Sequence, residues 1–315
     1  MQTVSQPGLQ FTLSHHHSDE GIPYQLLSIA LTRPDRLLYP ADLTQLQLPE
    51  NIDPGKGIVL SGRGPLWLYG HLIHELHPTA WVACYDPRLG AVVVASHSPL
   101  VRVGQVIALK KKLGIPPCEP LCPALMIVGP PDSGKSIFAH ALFNALLPDY
   151  PDIYLQRAHW DGEGNWILDA GNGLTEAERE EFKLVYRGTL TPGFFPYHYE
   201  AILNLRRQKQ LVIVDVGGKV QPEKIPLLEA CSHYLVISSN ADEVQPWHEF
   251  CHDRGNLKLI AVIQSSLPLV EQIEQREPYL ILTTAACVNG KPCPVPKPLL
   301  EQVHQLLINP TSIIS

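Results

Sequence analysis

Ala124-Leu-Met-Ile-Val-Gly129-Pro130-Pro131-Asp132-Ser133-Gly134-Lys135-Ser136 runs directly into Ile137-Phe-Ala-His-Ala-Leu-Phe-Asn-Ala-Leu-Leu147. An apolar run of strand character, a loop bounded by glycines and an apolar run of helical character stand in that order. This is the context that the phosphate-binding pattern G-x-x-x-x-G-K-[ST] requires. Successive backbone N–H groups of such a loop curl around a phosphate, and the helix N-terminus adds its partial positive charge. Gly129, Pro130, Pro131, Asp132, Ser133 and Gly134 are expected to form the cradle, with Lys135 reaching the outer phosphates and Ser136 ligating Mg²⁺. The stretch predicts an ATP site.

Downstream of this loop, strands and helices alternate, which predicts an α/β domain with a mostly parallel sheet and helices on both faces. Strands are expected at 153–155, 211–214, 234–238, 257–263 and 279–282, and a last helix at 299–307. Thr175-Glu-Ala-Glu178 is a capping box, in which each end satisfies a free backbone donor of the other, so a helix should start there. Leu211-Val-Ile-Val-Asp215 is an apolar strand ending in a carboxylate, the arrangement that holds Mg²⁺ beside a phosphate loop. Asp215-Val-Gly-Gly218 also fits the Asp-x-x-Gly pattern whose glycine N–H contacts a terminal phosphate in GTPases and their relatives. No Asn-Lys-x-Asp motif follows to read guanine, which favours ATP. Asp161, in His159-Trp-Asp-Gly-Glu-Gly164, falls after the second strand, where related kinases keep a carboxylate for the phosphate acceptor or an attacking water. The same Asp-Gly pair reads equally as a turn. Arg206 and Arg207 read either as a charge-stabilising finger or as a solvated helix face.

Upstream, residues 1–112 carry strand-like runs at 10–14, 25–32, 57–61, 80–85 and 91–96. One helix stands among them. Pro65 occupies a position that tolerates a missing N–H, and Leu66, Leu68, Tyr69, Leu72, Ile73 and Leu76 recur at helical spacing until Pro78. This describes a small α+β domain. The proline- and charge-rich segment 113–123 reads as a linker to a second domain at 124–315.

The chain has 315 residues, 45% hydrophobic and 17% charged, a globular composition long enough for two cores. Its net charge of −7 argues against wrapping a long nucleic acid, which needs many phosphate neutralisations. A small oligonucleotide needs only a local cluster such as Arg63, Arg88 and Arg102. No apolar run is long enough to span a bilayer, and no basic segment with an apolar core opens the chain, so a cytoplasmic protein is expected. The seven cysteines lack a framework spacing and read as reduced thiols. Cys118 with Cys122 and Cys287 with Cys293 make a poor zinc pattern.

In the first domain, His71, His74 and His77 follow at intervals of three and share adjacent parts of one helix surface. With Asp86 and Arg88 at a strand end they can bind a divalent metal or move protons, or they can be plain surface histidines beside an Asp-Pro turn. Ser61-Gly-Arg63-Gly-Pro65 sets an arginine beside a helix start, which reads as an anion site or as a simple turn. His15-His-His17 reads as a strand-end cluster without a role.

The run Gly62-Arg-Gly-Pro-Leu-Trp-Leu-Tyr-Gly-His71-Leu-Ile-His74-Glu-Leu-His77-Pro, continued by Trp81-Val-Ala-Cys-Tyr-Asp86-Pro-Arg88-Leu-Gly-Ala-Val-Val-Val, resembles the CRISPR-associated ring nuclease of the third type. That is a small ferredoxin-like protein of type III systems, found alone or fused to a C-terminal P-loop domain. The resemblance covers the first 110 residues or so and is densest over 57–98. It implies degradation of cyclic tetra-adenylate, the second messenger of type III defence, in a manganese-assisted reaction shared between subunits of a homo-oligomer, a dimer or a tetramer. On this resemblance His77, Asp86 and Arg88 match the catalytic pattern, His74 is a second helix histidine, and Ser61 and Arg63 fall on the ligand-facing loop. The chemistry suits these side chains. Phosphodiester cleavage needs an oriented nucleophile, either the adjacent 2′-hydroxyl or a water, and charge stabilisation at phosphate.

The leading expectation is a two-domain enzyme that cleaves cyclic tetra-adenylate and binds ATP. A second reading makes the first domain a messenger sensor whose output is the ATPase or kinase domain. A third makes the chain a small-molecule kinase with an accessory dimerisation domain, its phosphate transfer dependent on Asp161.

Overall fold

The computed structural model describes residues 2–34, 37–109, 121–159, 175, 177–178, 181, 190–266, 272–288 and 293–308. The chain divides into two compact units, Met1–Pro117 and Cys118–Ser315. Residues 113–120 of the expected linker lie outside the described residues, as does Asp161.

The first unit is built on a seven-stranded sheet of β1 (Gln2–Gln6), β2 (Leu9–His17), β3 (Pro23–Leu31), β4 (Gly57–Gly62), β5 (Trp81–Asp86), β6 (Gly90–Ser96) and β7 (Val106–Ile107), in the spatial order of the sequence. Strands β3, β4 and β5 are parallel, and the outer pairs are antiparallel. Helix α1 (Leu66–Leu76) joins β4 to β5. The ferredoxin-like expectation, a βαββαβ unit, is not met. Strand order is sequential, and one α-helix stands among the described residues of this unit. The strands that extend the sheet escaped the sequence because they carry little apolar signal. β1 is the half-exposed edge Gln-Thr-Val-Ser-Gln, held by pairing with β2.

Helix α1 buries Leu68, Leu72 and Leu76, one residue per turn, against Phe11, Leu27, Ile58 and Leu60 of the sheet. Each such side chain contributes about 1.5–3 kcal/mol. The opposite face has its own core around Tyr24, Val59, Trp81, Val93 and Ile107. At the end of β4 the chain must turn sharply into α1. Gly62 does this at φ +149, and a Cβ there would lie 2.1 Å from the Ile29 carbonyl oxygen, so no other residue fits.

The second unit contains β8 (Ala124–Val128), α2 (Lys135–Leu146), β9 (Ile153–Ala158), α3 (Phe194–Arg206), β10 (Leu211–Val216), α4 (Ile225–Ala230), β11 (His233–Ser238), α5 (Val244–His248), β12 (Lys258–Ser266), β13 (Gln272–Gln275), β14 (Leu280–Ala285) and α6 (Lys297–Ile308). Their sheet order is β13-β14-β12-β11-β8-β10-β9, parallel throughout except for β13. Every residue of β8, β10 and β11 is buried, which is why those strands are mostly apolar, broken only by Asp215, His233 and Ser238. Helices α2 and α6 cover one face through Phe138, Leu142, Leu299 and Val303. Helices α3 and α4 cover the other through Ile202, Leu205 and Leu227. The Thr175–Glu178 capping box is formed: the Thr175 N–H donates to Glu178 Oε2 at 2.7 Å, and the Glu178 N–H donates to Thr175 Oγ1 at 3.3 Å.

Two expectations change here. Arg206 is neither a finger nor solvated. It is buried, donating from Nε to the Cys122 carbonyl and from Nη1 to the Ala230 carbonyl, both at 2.7 Å, so it ties the entry of β8 to the end of α4. Nor are all the cysteines thiols. Cys287 and Cys293 form a disulfide across the loop that precedes α6, with Cα atoms 4.9 Å apart, while Cys84, Cys122, Cys231 and Cys251 are thiols.

His233, at the start of β11, makes a pH dependence explicit. Burial, reinforced by the positive charges of Lys258 and Arg206, lowers its pKa from 6.5 to about 4. Between these values an unfolded chain takes up a proton that the native chain refuses, so stability falls on acidification from about pH 6.5 and levels off below about pH 4. The difference is worth about 3 kcal/mol. In urea titrations of the full chain at pH 7 and pH 4.5, His233→Gln should remove this part of the loss. An equal loss in the variant would refute the assignment.

Candidate functional site

In the second unit the phosphate loop sits where the connections diverge. β8 pairs with β10 on one side and β11 on the other, so the loop leaves the carboxyl end of the sheet at its topological switch point. Gly129 leaves β8 at φ +149, and a Cβ there would lie 1.9 Å from the Ile237 carbonyl oxygen of β11. Asp132 at φ 58 and Gly134 at φ 80 give the left-handed turns that bring backbone N–H groups to one side of a loop. Gly134 then caps α2, whose first residues are Lys135 and Ser136. Lys135 is buried and folds back along the loop: its Nζ donates to the Pro130 carbonyl at 2.6 Å, with Ser133 Oγ at 3.4 Å.

Asp215 lies on β10 opposite Ile127 of β8 and Arg157 of β9. It is 1% exposed. Its Oδ2 is 3.3 Å from His159 Nε2 and 3.5 Å from Arg157 Nε, and Arg157 Nη2 is 2.8 Å from His159 Nε2. Asp215 Oδ1 is buried without a hydrogen-bond partner among the described residues. A buried acceptor left open costs about 1–3 kcal/mol, and a coordinated cation or its water shell relieves that cost. The open carboxylate oxygen therefore fits a cation such as Mg²⁺, which Asp215 and Ser136 would hold.

The turn after β10 closes down on this loop. A Cβ on Gly218 would lie 2.5 Å from Pro131 N, so the turn rests on the loop backbone. Behind it, Lys224 is buried, with Nζ donating to the carbonyls of Gly217 and Lys219. Burial, aided by the positive charge of Lys135, brings its pKa down to about 8. Arg157, His159 and Lys224 belong to no motif: Arg157 and His159 stand at and just past the polar end of β9, and Lys224 lies six residues beyond Gly218, after Lys219.

In the first unit the expected catalytic set is split between two ends of the sheet. Arg88 donates from its backbone N–H, Nε and Nη2 to the Asp86 carboxylate at 2.8, 2.9 and 2.6 Å. Burial raises the Asp86 pKa, but these hydrogen bonds outweigh it and hold the carboxyl below its ordinary value. Through the parallel pairing of β4 with β5, Ser61 and Arg63 lie at the same carboxyl end. The Tyr69 hydroxyl donates to the Gly62 carbonyl at 2.8 Å and fixes that loop.

His77 follows α1 at the opposite, amino end of β5. There its Nδ1 is 3.3 Å from Nε2 of His97, the rings meeting edge to face at 4.5 Å, while the His97 backbone N–H donates to the Ala80 carbonyl at 2.9 Å. His74, exposed on α1, contributes its carbonyl to the His77 N–H. His97 was missed because it lies outside the helical spacing that picked out His71, His74 and His77. Trp81 to Asp86 is five residue steps, roughly 16 Å of strand. One chain therefore does not bring His77 to Asp86. Among the described residues no three His, Cys, Asp or Glu side chains converge on a point, so the manganese implied by the resemblance finds no ligand set within one chain, and no step is derived through it.

Fold and site thus define a protein in two parts: a sheet domain with polar groups at both ends, and a mostly parallel α/β domain that carries a P-loop sequence motif. Residues 31–108 match the family model described as CRISPR-associated protein (Cas_csx3). An uncharacterised protein of Aquifex aeolicus (strain VF5) is 54% identical over 76 residues, 23% of this chain and 68% of that one. The family match lies wholly within the first unit. Among solved structures, it is similar to the septum site-determining protein MinD of Pyrococcus horikoshii OT3 in complex with Mg-ADP (12% identity, TM-score 0.36, 47% of this chain and 72% of that chain). A ParA family ATPase of Chlorobium tepidum TLS (14%, 0.33, 61% and 94%) and the kinase domain of the Escherichia coli tyrosine kinase ETK (17%, 0.36, 51% and 73%) are similar as well. No helix of the described residues is long and apolar enough to cross a membrane.

Proposed function

We propose that the N-terminal domain is a ring nuclease that degrades cyclic tetra-adenylate, and that the P-loop domain binds ATP with Mg²⁺ and regulates or assists it. The observation that carries this reading is that both halves of the chemistry are present, and exposed or partly exposed, but at opposite ends of one domain. The His77–His97 pair can supply the acid and base of proton transfer. Arg88 can offer its planar fork to a phosphate when it leaves Asp86, and Arg63 stands on the same end.

The set is completed when a second copy presents its other end. Such a contact joins two different surfaces, so the assembly closes as a ring or continues as a stack. A cyclic substrate of repeating units suits that arrangement, because equivalent phosphates then meet equivalent side chains.

The test is to incubate the full chain with cyclic tetra-adenylate and manganese, with and without ATP, and to follow both nucleotides by chromatography. Linear products from the cyclic substrate are the expected result. Recovery of the intact ring with faster ATP turnover would instead establish the sensor reading. Phosphate transfer indifferent to the ring would establish the kinase reading.

A further inference from the structure

Lys224 is a lysine in an unusual position. It ends the 3₁₀ turn Pro222–Lys224, is 1% exposed, and forms no ion pair with a carboxylate among the described residues. Burying an ammonium without a counter-charge is costly, and here the cost is offset by two backbone carbonyls and an aromatic face. Its Nζ donates to the carbonyls of Gly217 and Lys219, at 2.6 Å to the latter, and lies 5.7 Å from the centre of the Trp247 ring. Both carbonyls belong to the turn that begins at Asp215. The other side of that turn touches the phosphate loop, since Gly218 leaves no room for a Cβ against Pro130 and Pro131. The turn is therefore clamped between the phosphate loop in front and one buried ammonium behind.

We infer that Lys224 is the positioning residue of the nucleotide site: it holds the Asp215–Lys219 turn against the phosphate loop and so fixes the open Asp215 carboxylate oxygen where the nucleotide's cation binds. The inference rests on the reading of Gly129–Ser136 as an ATP site. Lys224 touches neither nucleotide nor cation, and its effect passes through Gly217 and Lys219. Trp247, packed on the same ammonium, links the turn to the helical layer of α5.

The role is separable from a merely structural one by its dependence on magnesium. ATP binding to the full chain is measured by equilibrium dialysis in Mg²⁺ and in EDTA, together with Trp emission. In EDTA, wild type and Lys224→Met should bind ATP within twofold of each other. Adding Mg²⁺ should tighten the wild type at least tenfold and leave Lys224→Met nearly unchanged, with Lys224→Arg recovering part of the gain. Gly218→Ala, which pushes the turn off Pro131 without touching the lysine, should reproduce the loss. The emission change on Mg²⁺-ATP should disappear in Trp247→Phe. A full magnesium gain in Lys224→Met or in Gly218→Ala overturns the inference. If Lys224→Met does not fold, Lys224→Arg and Gly218→Ala still decide it. A wild type that binds no ATP under either condition overturns the nucleotide reading itself.

Discussion

Lys135→Met should weaken ATP binding more than a hundredfold. The ammonium donates to the Pro130 carbonyl at 2.6 Å, folded back along the phosphate loop. A triphosphate replaces that neutral acceptor with charged ones, and charge-assisted hydrogen bonds of this kind are worth about 1.5–3 kcal/mol each. Loss of about 3 kcal/mol corresponds to more than a hundredfold in dissociation constant. Calorimetric titration with Mg²⁺-ATP reads the loss, and a thermal melt of the apo chain checks that the variant is folded. A variant that still binds within threefold of wild type would place the nucleotide elsewhere.

The second large effect concerns the proposed nuclease site. His77→Ala and Asp86→Ala should each lower cleavage of cyclic tetra-adenylate by about 10²–10⁴, the usual weight of a proton-transfer group. An equimolar mixture of the two variants should recover activity. His77 and Asp86 stand at opposite ends of β5, so a shared site takes one residue from each of two copies. Random mixing leaves about a quarter of the end-to-end contacts with both residues intact. The mixture is thus expected near a quarter of the wild-type rate, after subunits have been allowed to exchange. Recovery would be absent if both residues acted within one chain. His97→Ala adds a control at the same end as His77: it should not be rescued by His77→Ala, because every contact in that mixture lacks one of the two imidazoles.

These experiments also mark where residue patterns lose their reach. The P-loop was legible because its conformation is local. Two glycines at fixed spacing, a lysine and a hydroxyl define a turn whose N–H groups face one way, and the flanking apolar runs name the strand and helix. Asp215 was legible for a related reason, as the polar end of a wholly buried strand. Helix α1 announced itself through Leu68, Leu72 and Leu76, whose spacing is the helical period. Even the capping box at Thr175 could be read off, since it is made by residues three apart.

What the sequence did not determine was every relation between distant residues. Asp86 and Arg88 pair as neighbours must, two positions apart across a turn. But whether His77 meets them depends on the direction in which α1 returns along the sheet, and that direction carries it to the other end, where His97 waits from a different strand connection. The ferredoxin-like expectation failed for the same reason: half-polar edge strands leave no apolar trace, and only pairing with a neighbour makes them strands. Arg206 looked like a surface charge until its two carbonyl partners came from the entry of β8 and the end of α4. So the sequence by itself determined a phosphate loop, a parallel α/β sheet behind it and a family resemblance upstream, all carried by short-range spacing. Tertiary structure alone decided that His77 and the Asp86–Arg88 pair stand at two ends of a domain, and that the buried Lys224 stands behind the Asp215 turn, because both depend on which backbone carbonyls and strand ends the fold brings together.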